Sequence, residues 1–202
     1  MVETHFTEVA PGIILYSDIM EDPDIFIKEL EESVNLKSIG WSPAYQGSAG
    51  NQSLPSIDKK IRNCKTITIP PYDSMDDSAK NGALFEIHKY LNNILNPFFN
   101  SYCNYFNCFP WRKNEGWQLL KYESQNFFVN HYDDSKNFQR TISMSYFLND
   151  NYIGGEIEFA RFNLKIKPKA NQALFFPSNY VYNHQVHDVI SGTRYTIVGW
   201  WE

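Results

Sequence analysis

A chain of 202 residues, 43% hydrophobic and 16% aromatic, can bury one substantial core and leaves little room for a second full domain. Its net charge of -5, with no dense Lys/Arg run, argues against the phosphate-neutralising surface of a nucleic-acid binder. No stretch of about 18 consecutive apolar residues occurs, and the opening MVETHFTEVAPG lacks the basic and apolar regions of a signal peptide, so a cytoplasmic location without a membrane partner is expected.

Fifteen Phe, thirteen Tyr and five Trp favour the pleated, half-buried surfaces of strands. The first element is a short strand over residues 12–17 (GIILYS). It is followed by a helix in EDPDIFIKELEESV, where Asp22 caps, Pro23 takes the first helical position, and Phe26, Leu30 and Val34 recur every four residues. Residues 36–70 read as a long irregular segment, with Gly, Ser, Asn and Pro clustered in YQGSAGNQSLP. Loops of that length serve either as functional lids or as solvated excursions. Leu84, Ile87, Leu91, Ile94, Leu95, Phe98 and Tyr102 then follow helical spacing over 79–106, with Pro110 ending any continuation.

After residue 115 the period changes. GWQLLKY, FFVNHYD, RTISMSYFL, EIEFARF, NLKIKP, QALFFPS, NHQVHDV and RYTIVGWW are short β-branched or aromatic runs divided by Gly, Asn, Asp and Pro. Eight such strands in so short a span predict a barrel or jelly roll. The fold class expected is α+β, mainly β, with residues 1–110 as helical support and a candidate substrate loop, and 111–202 as a catalytic β core in one domain.

Three cysteines, Cys64, Cys103 and Cys108, fit reduced thiols better than a disulfide framework. The five-residue step from Cys103 to Cys108 has no second Cys/His pair nearby, so packing explains these residues better than metal binding.

The chemistry concentrates elsewhere. His131 and Asp133 flank Tyr132 in a predicted strand, and residues two apart on a strand share a face. A histidine from a later strand would complete two imidazoles and a carboxylate, the facial triad that leaves coordination positions open for substrate and dioxygen. His184 and His187 are both candidates at this point. Alone, His-x-Asp is a weak signal. Arg194, beyond the Ser191-Gly192 turn, strengthens it, because an iron with open positions needs an anion clamp and a guanidinium grips a carboxylate through two parallel hydrogen bonds.

These residues carry a family likeness: residues 116–202 resemble a 2-oxoglutarate/Fe(II) oxygenase of the prolyl 4-hydroxylase branch. WQLLKYESQNFFVNHYDD resembles the segment in which a tyrosine and an aromatic, here Tyr122 and Phe128, precede His-x-Asp. QRTISMSYFLNDNYIGGEIEF resembles the arginine-led strand that ends before a Gly-Gly-Glu turn. LKIKPKANQALFFPS resembles a Pro-x-x-Gly-x-x-Leu-x-Phe strand, with Asn171 where glycine is common. HQVHDVISGTRYTIVGWW resembles the closing His-x-Val motif.

The resemblance implies a double-stranded β-helix with the metal at its mouth. It implies His131, Asp133 and His184 as the metal ligands, since the family's histidine sits ten residues before the basic residue, and it leaves His187 outside the metal set. Catalytic roles then fall on those ligands and Arg194, and cofactor binding on Arg194 and Tyr122. Phe128 lacks the hydroxyl that a family tyrosine offers there. The cofactors implied are Fe(II), 2-oxoglutarate and dioxygen, with ascorbate as a candidate reductant. The reaction implied is hydroxylation of a C–H bond, foremost of a prolyl residue in a peptide or protein, with succinate and carbon dioxide as co-products. Arg140 and Trp200 resemble positions that line the peptide groove, and Trp41, Tyr45 and Arg62 belong to the segment that would fold over a bound peptide. Two other readings stay open: hydroxylation of a free amino acid or other small molecule, and a non-catalytic cupin-like binding module. Nucleobase dealkylation is disfavoured because Trp200 stands where those members carry a second arginine, and halogenation because Asp133 is present.

Overall fold

The computed structural model describes residues 5–45, 57–76, 82–108, 113–135 and 139–202. In chain order, the strands are β1 (Phe6–Ala10), β2 (Ile13–Ser17), β3 (Ser42–Pro43), β4 (Arg62–Asn63), β5 (Lys65–Ile69), β6 (Asn114–Tyr122), β7 (Phe127–His131) and β8 (Ile142–Phe147). They continue as β9 (Ile153–Gly154), β10 (Ile157–Phe159), β11 (Leu164–Ile166), β12 (Gln172–Pro177), β13 (His184–Val186), β14 (Val189–Ser191) and β15 (Arg194–Trp201). Two α-helices are described, α1 (Pro23–Asn35) and α2 (Ala83–Tyr105).

An eight-stranded sheet in the order β1-β2-β12-β8-β15-β6-β5-β3 faces a five-stranded sheet, β11-β10-β13-β7-β4, and a two-stranded pair, β14-β9, closes one end. Strand periodicity sorts the side chains of the large sheet. Ile67, Trp117, Leu119, Tyr146, Phe175, Ile197 and Trp201 form one buried cluster with Phe26 and Leu30 of α1 and Leu91, Leu95, Phe98 and Phe99 of α2. Their neighbours in sequence point the other way: Leu120, Tyr122, Phe147, Leu174, Phe176, Val198 and Trp200 pack toward the smaller sheet. The helices buttress the outer face, and the space between the sheets is left for the site. Gly199 marks a close approach on the helix side, where a Cβ would fall 2.5 Å from the Trp117 ring. The Trp117 ring fills the space this leaves.

The helix ends follow the local chemistry. The Asp22 carboxylate accepts from the amides of Asp24 and Ile25 at 3.1 and 3.0 Å, satisfying donors that a helix leaves open at its start. α2 starts at Ala83 rather than 79, the segment 77–81 lying outside the described residues, as does Pro110. It runs through Pro97: buried Leu91, Leu95, Phe98, Phe99 and Tyr102 hold both halves of the helix against the sheet, outweighing the hydrogen bond that proline cannot donate.

Two corrections to the sequence reading arise in the N-terminal part. The segment before residue 12 is itself a strand, β1, paired antiparallel with β2. Residues 36–70 are not one long loop: β5 pairs along its length with β6, from Lys65↔Lys121 to Ile69↔Trp117, and β4 joins the smaller sheet beside β7. Residues 46–56, which hold most of the Gly/Ser/Asn cluster, lie outside the described residues. Among the described residues no helix is long and apolar enough to cross a membrane.

Asn171, in place of the expected glycine, has φ 65°, a left-handed conformation that asparagine tolerates better than most residues. Its side-chain oxygen accepts from the Met20 amide (2.9 Å) and the Tyr146 hydroxyl (2.9 Å), while its amide donates to the Met20 carbonyl (2.7 Å). The side chain ties the end of β2 and its following turn to the large sheet.

Candidate functional site

His131 ends β7 and His184 begins β13, and the antiparallel register sets them directly opposite one another. Their rings lie 4.4 Å apart. The His131 Nδ1 is 2.8 Å from the Val129 carbonyl, and the His184 Nδ1 is 3.1 Å from the Tyr182 carbonyl. A carbonyl can only accept, so in both rings Nδ1 carries the proton and Nε2 presents a lone pair. Both Nε2 atoms face Asp133, at 3.6 Å from Oδ1 for His131 and 3.9 Å from Oδ2 for His184. One donor atom from each residue lies within 4.8 Å of the others. Aromatic rings fix the imidazoles: Phe128 stacks on His131 with centroids 3.5 Å apart, and Phe159 and Phe176 flank His184.

Asp133 reaches this position by a different route from the one expected. β7 ends at His131, so Asp133 does not share a strand face with it. The chain turns, and the amides of Asp133 and Asp134 both donate to the Ser178 carbonyl at the end of β12, at 3.1 and 2.9 Å. Oδ2 of Asp133 accepts from the Ser143 hydroxyl at 2.6 Å, and the Ser143 and Ser178 hydroxyls are 2.8 Å apart. Burial pushes the Asp133 carboxyl up, but His184, His131 and the Ser143 hydroxyl outweigh it and hold the group well below the usual carboxylate range. Burial, reinforced by His131 and opposed by Asp133, pushes His184 down to about 4. Near neutral pH, therefore, Asp133 is an anion and His184 a neutral ring, the states in which these residues ligate a metal.

Arg194 opens β15 directly opposite Tyr122 of β6. Its guanidinium lies 4.9 Å from the Tyr122 ring centre and 5.2 Å from that of Phe147. It is 1% exposed, and among the described residues no carboxylate forms an ion pair with it and its Nε has no hydrogen-bond partner. A buried guanidinium without a counter-ion is expensive unless an anion completes it. The triad, Tyr122, Phe128, Arg194 and Trp200 line one cleft of about 420 Å³, its open mouth included. The cleft thus has a borderline-hard donor set with room for further ligands at one place and a cation awaiting a carboxylate at another. Both fit Fe(II) with a keto diacid.

The other expected residues sort as follows. Arg140 makes a paired contact with Glu115, Nε to Oε1 at 2.8 Å and Nη2 to Oε2 at 2.7 Å, and its guanidinium covers the Trp200 ring at 3.9 Å. Trp200 lines the cleft and Arg140 backs it. His187 pairs with Glu158 at 2.5 Å, away from the triad. Arg62 also lines the cleft, with its guanidinium 4.9 Å over the Phe128 ring and Nη1 donating to the Tyr45 carbonyl at 2.8 Å. Trp41 is a correction: it packs on the helix side of the large sheet, against Tyr195 and Lys121. Tyr195 alternates with Arg194 along β15, so Trp41 stands on the opposite face from the cleft and cannot cover a peptide there. The sequence reading missed Ser143 and Ser178. They lie 10 and 45 positions beyond Asp133 and carry no spacing signal, so only the pairing of β8 with β12, Ser143↔Phe176, brings them together.

Comparison with known proteins agrees with this geometry. Residues 117–202 match the model of the 2OG-Fe(II) oxygenase superfamily. A protein of Acanthamoeba polyphaga mimivirus assigned as a prolyl 4-hydroxylase is 26% identical over 170 residues, covering 74% of this chain; the match spans 62% of that relative's length. Among solved structures, a Trichoplax adhaerens prolyl hydroxylase in complex with a hypoxia inducible factor peptide superposes with a TM-score of 0.66 at 20% identity, covering 94% of this chain and 83% of that one. The viral collagen prolyl hydroxylase of Paramecium Bursaria Chlorella virus-1, in its 2OG complex, gives 0.57 at 18% identity over 96% and 98% of the two chains. A Pseudomonas putida prolyl-4-hydroxylase gives 0.57 at 16%, over 95% and 92%. At these identities the structures speak for the fold, the double-stranded β-helix expected from the sequence. The superfamily match covers the segment that carries the His-Asp-His cluster and the buried arginine, and the relative and structures that resemble this chain are prolyl hydroxylases.

Proposed function

We propose that the protein is a 2-oxoglutarate- and Fe(II)-dependent dioxygenase that hydroxylates a prolyl residue in a peptide or protein. The observation that carries this reading is the placing of three convergent donors and a buried, uncompensated guanidinium in one cleft. In this reading residues 111–202 carry the chemistry, and residues 1–110 buttress the core and extend the cleft wall through Arg62 of β4.

His131 and His184 would hold the metal through Nε2, each ring locked by its Nδ1–H bond to a carbonyl. Asp133 would supply the anionic ligand, oriented by Ser143. Arg194 would grip the distal carboxylate of 2-oxoglutarate, with Tyr122 and Phe147 as the aromatic bed that keeps the guanidinium aimed. When bound, Fe(II) and 2-oxoglutarate, together with dioxygen, supply the oxidising power to break a C–H bond, releasing succinate and carbon dioxide. The protein orients the reactants and excludes water, with Leu120, Phe128, Ile157, Val186 and Val198 making the wall apolar.

A prolyl substrate is supported by the likeness to prolyl hydroxylases and by Trp200. Its indole forms part of the cleft wall with the Arg140–Glu115 pair behind it, a flat surface suited to a pyrrolidine ring. Tyr132, half exposed between two of the proposed ligands, offers a second aromatic surface to a chain crossing the mouth. The test is succinate formation from 2-oxoglutarate in the presence of proline-containing peptides, with mass spectrometry placing one added oxygen on a proline. Both signals should vanish in Asp133→Ala. Succinate release stimulated by free amino acids and not by any peptide would replace the peptide assignment with the small-molecule one.

A further inference from the structure

A second cation in the cleft has no counter-ion. Arg62 is 7% exposed and, unlike Arg140 with its Glu115, forms no ion pair among the described residues. Its side-chain hydrogen bonds go to neutral acceptors, Nη1 to the Tyr45 carbonyl at 2.8 Å and Nη2 to the Gln118 Oε1 at 3.1 Å. The Nε is buried without a partner. A neutral donor could brace the same two acceptors without the cost of taking a charge out of water. Residues 46–56, which follow Tyr45 in the chain, contain no Asp or Glu, so that segment supplies no counter-ion either.

The register of the sheets separates this charge from Arg194. Strand alternation puts Gln118, Leu120 and Tyr122 on one face of β6, opposite Val198, Thr196 and Arg194 of β15. Gln118 therefore stands about 13 Å along the strand from Tyr122, toward the Trp200 end of the cleft, and its side chain draws the Arg62 guanidinium that way. Two cations, Arg62 and Arg194, and one anion, Asp133, line the cleft. A divalent metal and the dianion 2-oxoglutarate cancel one another, so the loaded cleft keeps one positive charge, on the side away from Arg194.

We propose that Arg62 determines specificity by pairing with a carboxylate on the substrate peptide. A guanidinium has five N–H donors, of which Arg62 spends two; the three left are enough to grip both oxygens of a carboxylate. Phe128 lies against both the His131 ring, at 3.5 Å, and the Arg62 guanidinium, at 4.9 Å. Arg62 is thus no farther from His131 than about three residues of polyproline-type chain, and the carboxylate belongs to a residue that close to the target prolyl, as an acidic side chain or as the peptide's C-terminus. The inference rests on the prolyl-peptide reading above.

The test titrates the full chain, loaded with Mn(II) and 2-oxoglutarate to prevent turnover, with peptides that carry one central proline. In one series a single Glu occupies each of the three positions on either side in turn, matched by the same peptides with Gln. In the other the peptide ends within three residues of the proline, as the free acid or as the amide. Calorimetry should find at least one position at which Glu, or the free C-terminus, lowers the Kd about tenfold to hundredfold. Arg62→Gln should bring that ratio within twofold, and Arg62→Lys, which keeps the charge and loses the fork, should retain part of it. Both variants should keep the Kd for 2-oxoglutarate within threefold of the unaltered protein. Proline peptides that bind equally well in every matched pair overturn the proposal and leave the prolyl reading standing, and a preference that survives in Arg62→Gln overturns it too. If only free amino acids bind, the peptide reading itself falls and this inference with it.

Discussion

Removing the Ser143 hydroxyl tests whether Asp133 is held as a metal ligand or is only an acid buried among histidines. The Ser143 Oγ donates to Asp133 Oδ2 at 2.6 Å, and Ser143 and Ser178 are each 1% exposed. A hydrogen bond to a charged group in such a setting contributes about 1.5–3 kcal/mol. Partners that orient a ligating group typically change metal affinity by about tenfold to hundredfold, the same range in free energy. Ser143→Ala should therefore weaken Mn(II) binding by about one to two orders of magnitude, read by calorimetry on the metal-free protein. Ser178→Ala should cost much less, about twofold to fivefold, because its carbonyl, which fixes the Asp133 and Asp134 amides, survives the change and only the hydroxyl touching Ser143 is lost. Mn(II) affinity of Ser143→Ala within twofold of the unaltered protein would refute the reasoning, as would a larger effect of Ser178→Ala than of Ser143→Ala.

Arg194→Met, which keeps length but loses the charged fork, should weaken 2-oxoglutarate binding by at least about a hundredfold; a loss under tenfold, by calorimetry, would show that the anion is held elsewhere. The metal-free protein should lose stability as pH falls from about 6.5 toward 4. In that window residue 184 takes up a proton in the unfolded chain, at its ordinary value near 6.5, while the folded ring stays neutral down to about 4, so protons favour the unfolded state. Relative to the unaltered protein, His184→Gln should accordingly gain about 2–3 kcal/mol between pH 7 and 4.5 by denaturant titration, and parallel pH profiles would contradict this. Asn171→Gly should cost about 2–3 kcal/mol through its three lost hydrogen bonds, and Asn171→Ala about 1 kcal/mol more from a non-glycine φ of 65°; thermal melts that rank them the other way would remove the role assigned to this turn.

The parts of the fold legible in the sequence are those whose information is local. The helix at Asp22–Pro23 announces itself through its cap and spacing, and eight of the ten described strands from β6 onward through alternation and turn residues, the short β9 and β14 being missed. β5 was missed because KTITI is short and stands beside a Gly/Ser/Asn cluster; only its partner β6 makes it a strand. The site shows the same division. His131, Asp133, His184 and Arg194 carry a motif and a spacing, and all four line one cleft. Their supports do not: Ser143 reaches Asp133 through strand pairing, and Asp133 itself is placed by a turn held by Ser178 rather than by strand alternation. The position of Trp41 on the helix side was not legible, because the direction of a side chain in an irregular segment depends on the strand it later pairs beside.

The central claim, that His131, Asp133 and His184 hold an iron to which 2-oxoglutarate binds, is tested most directly by anaerobic titration of the metal-free protein with Fe(II) and 2-oxoglutarate, followed by absorption spectroscopy. The account predicts a charge-transfer band that saturates at one equivalent of each and is absent in His131→Ala and in His184→Ala. A silent spectrum in the unaltered protein, or a band that persists undiminished in both variants, would contradict it.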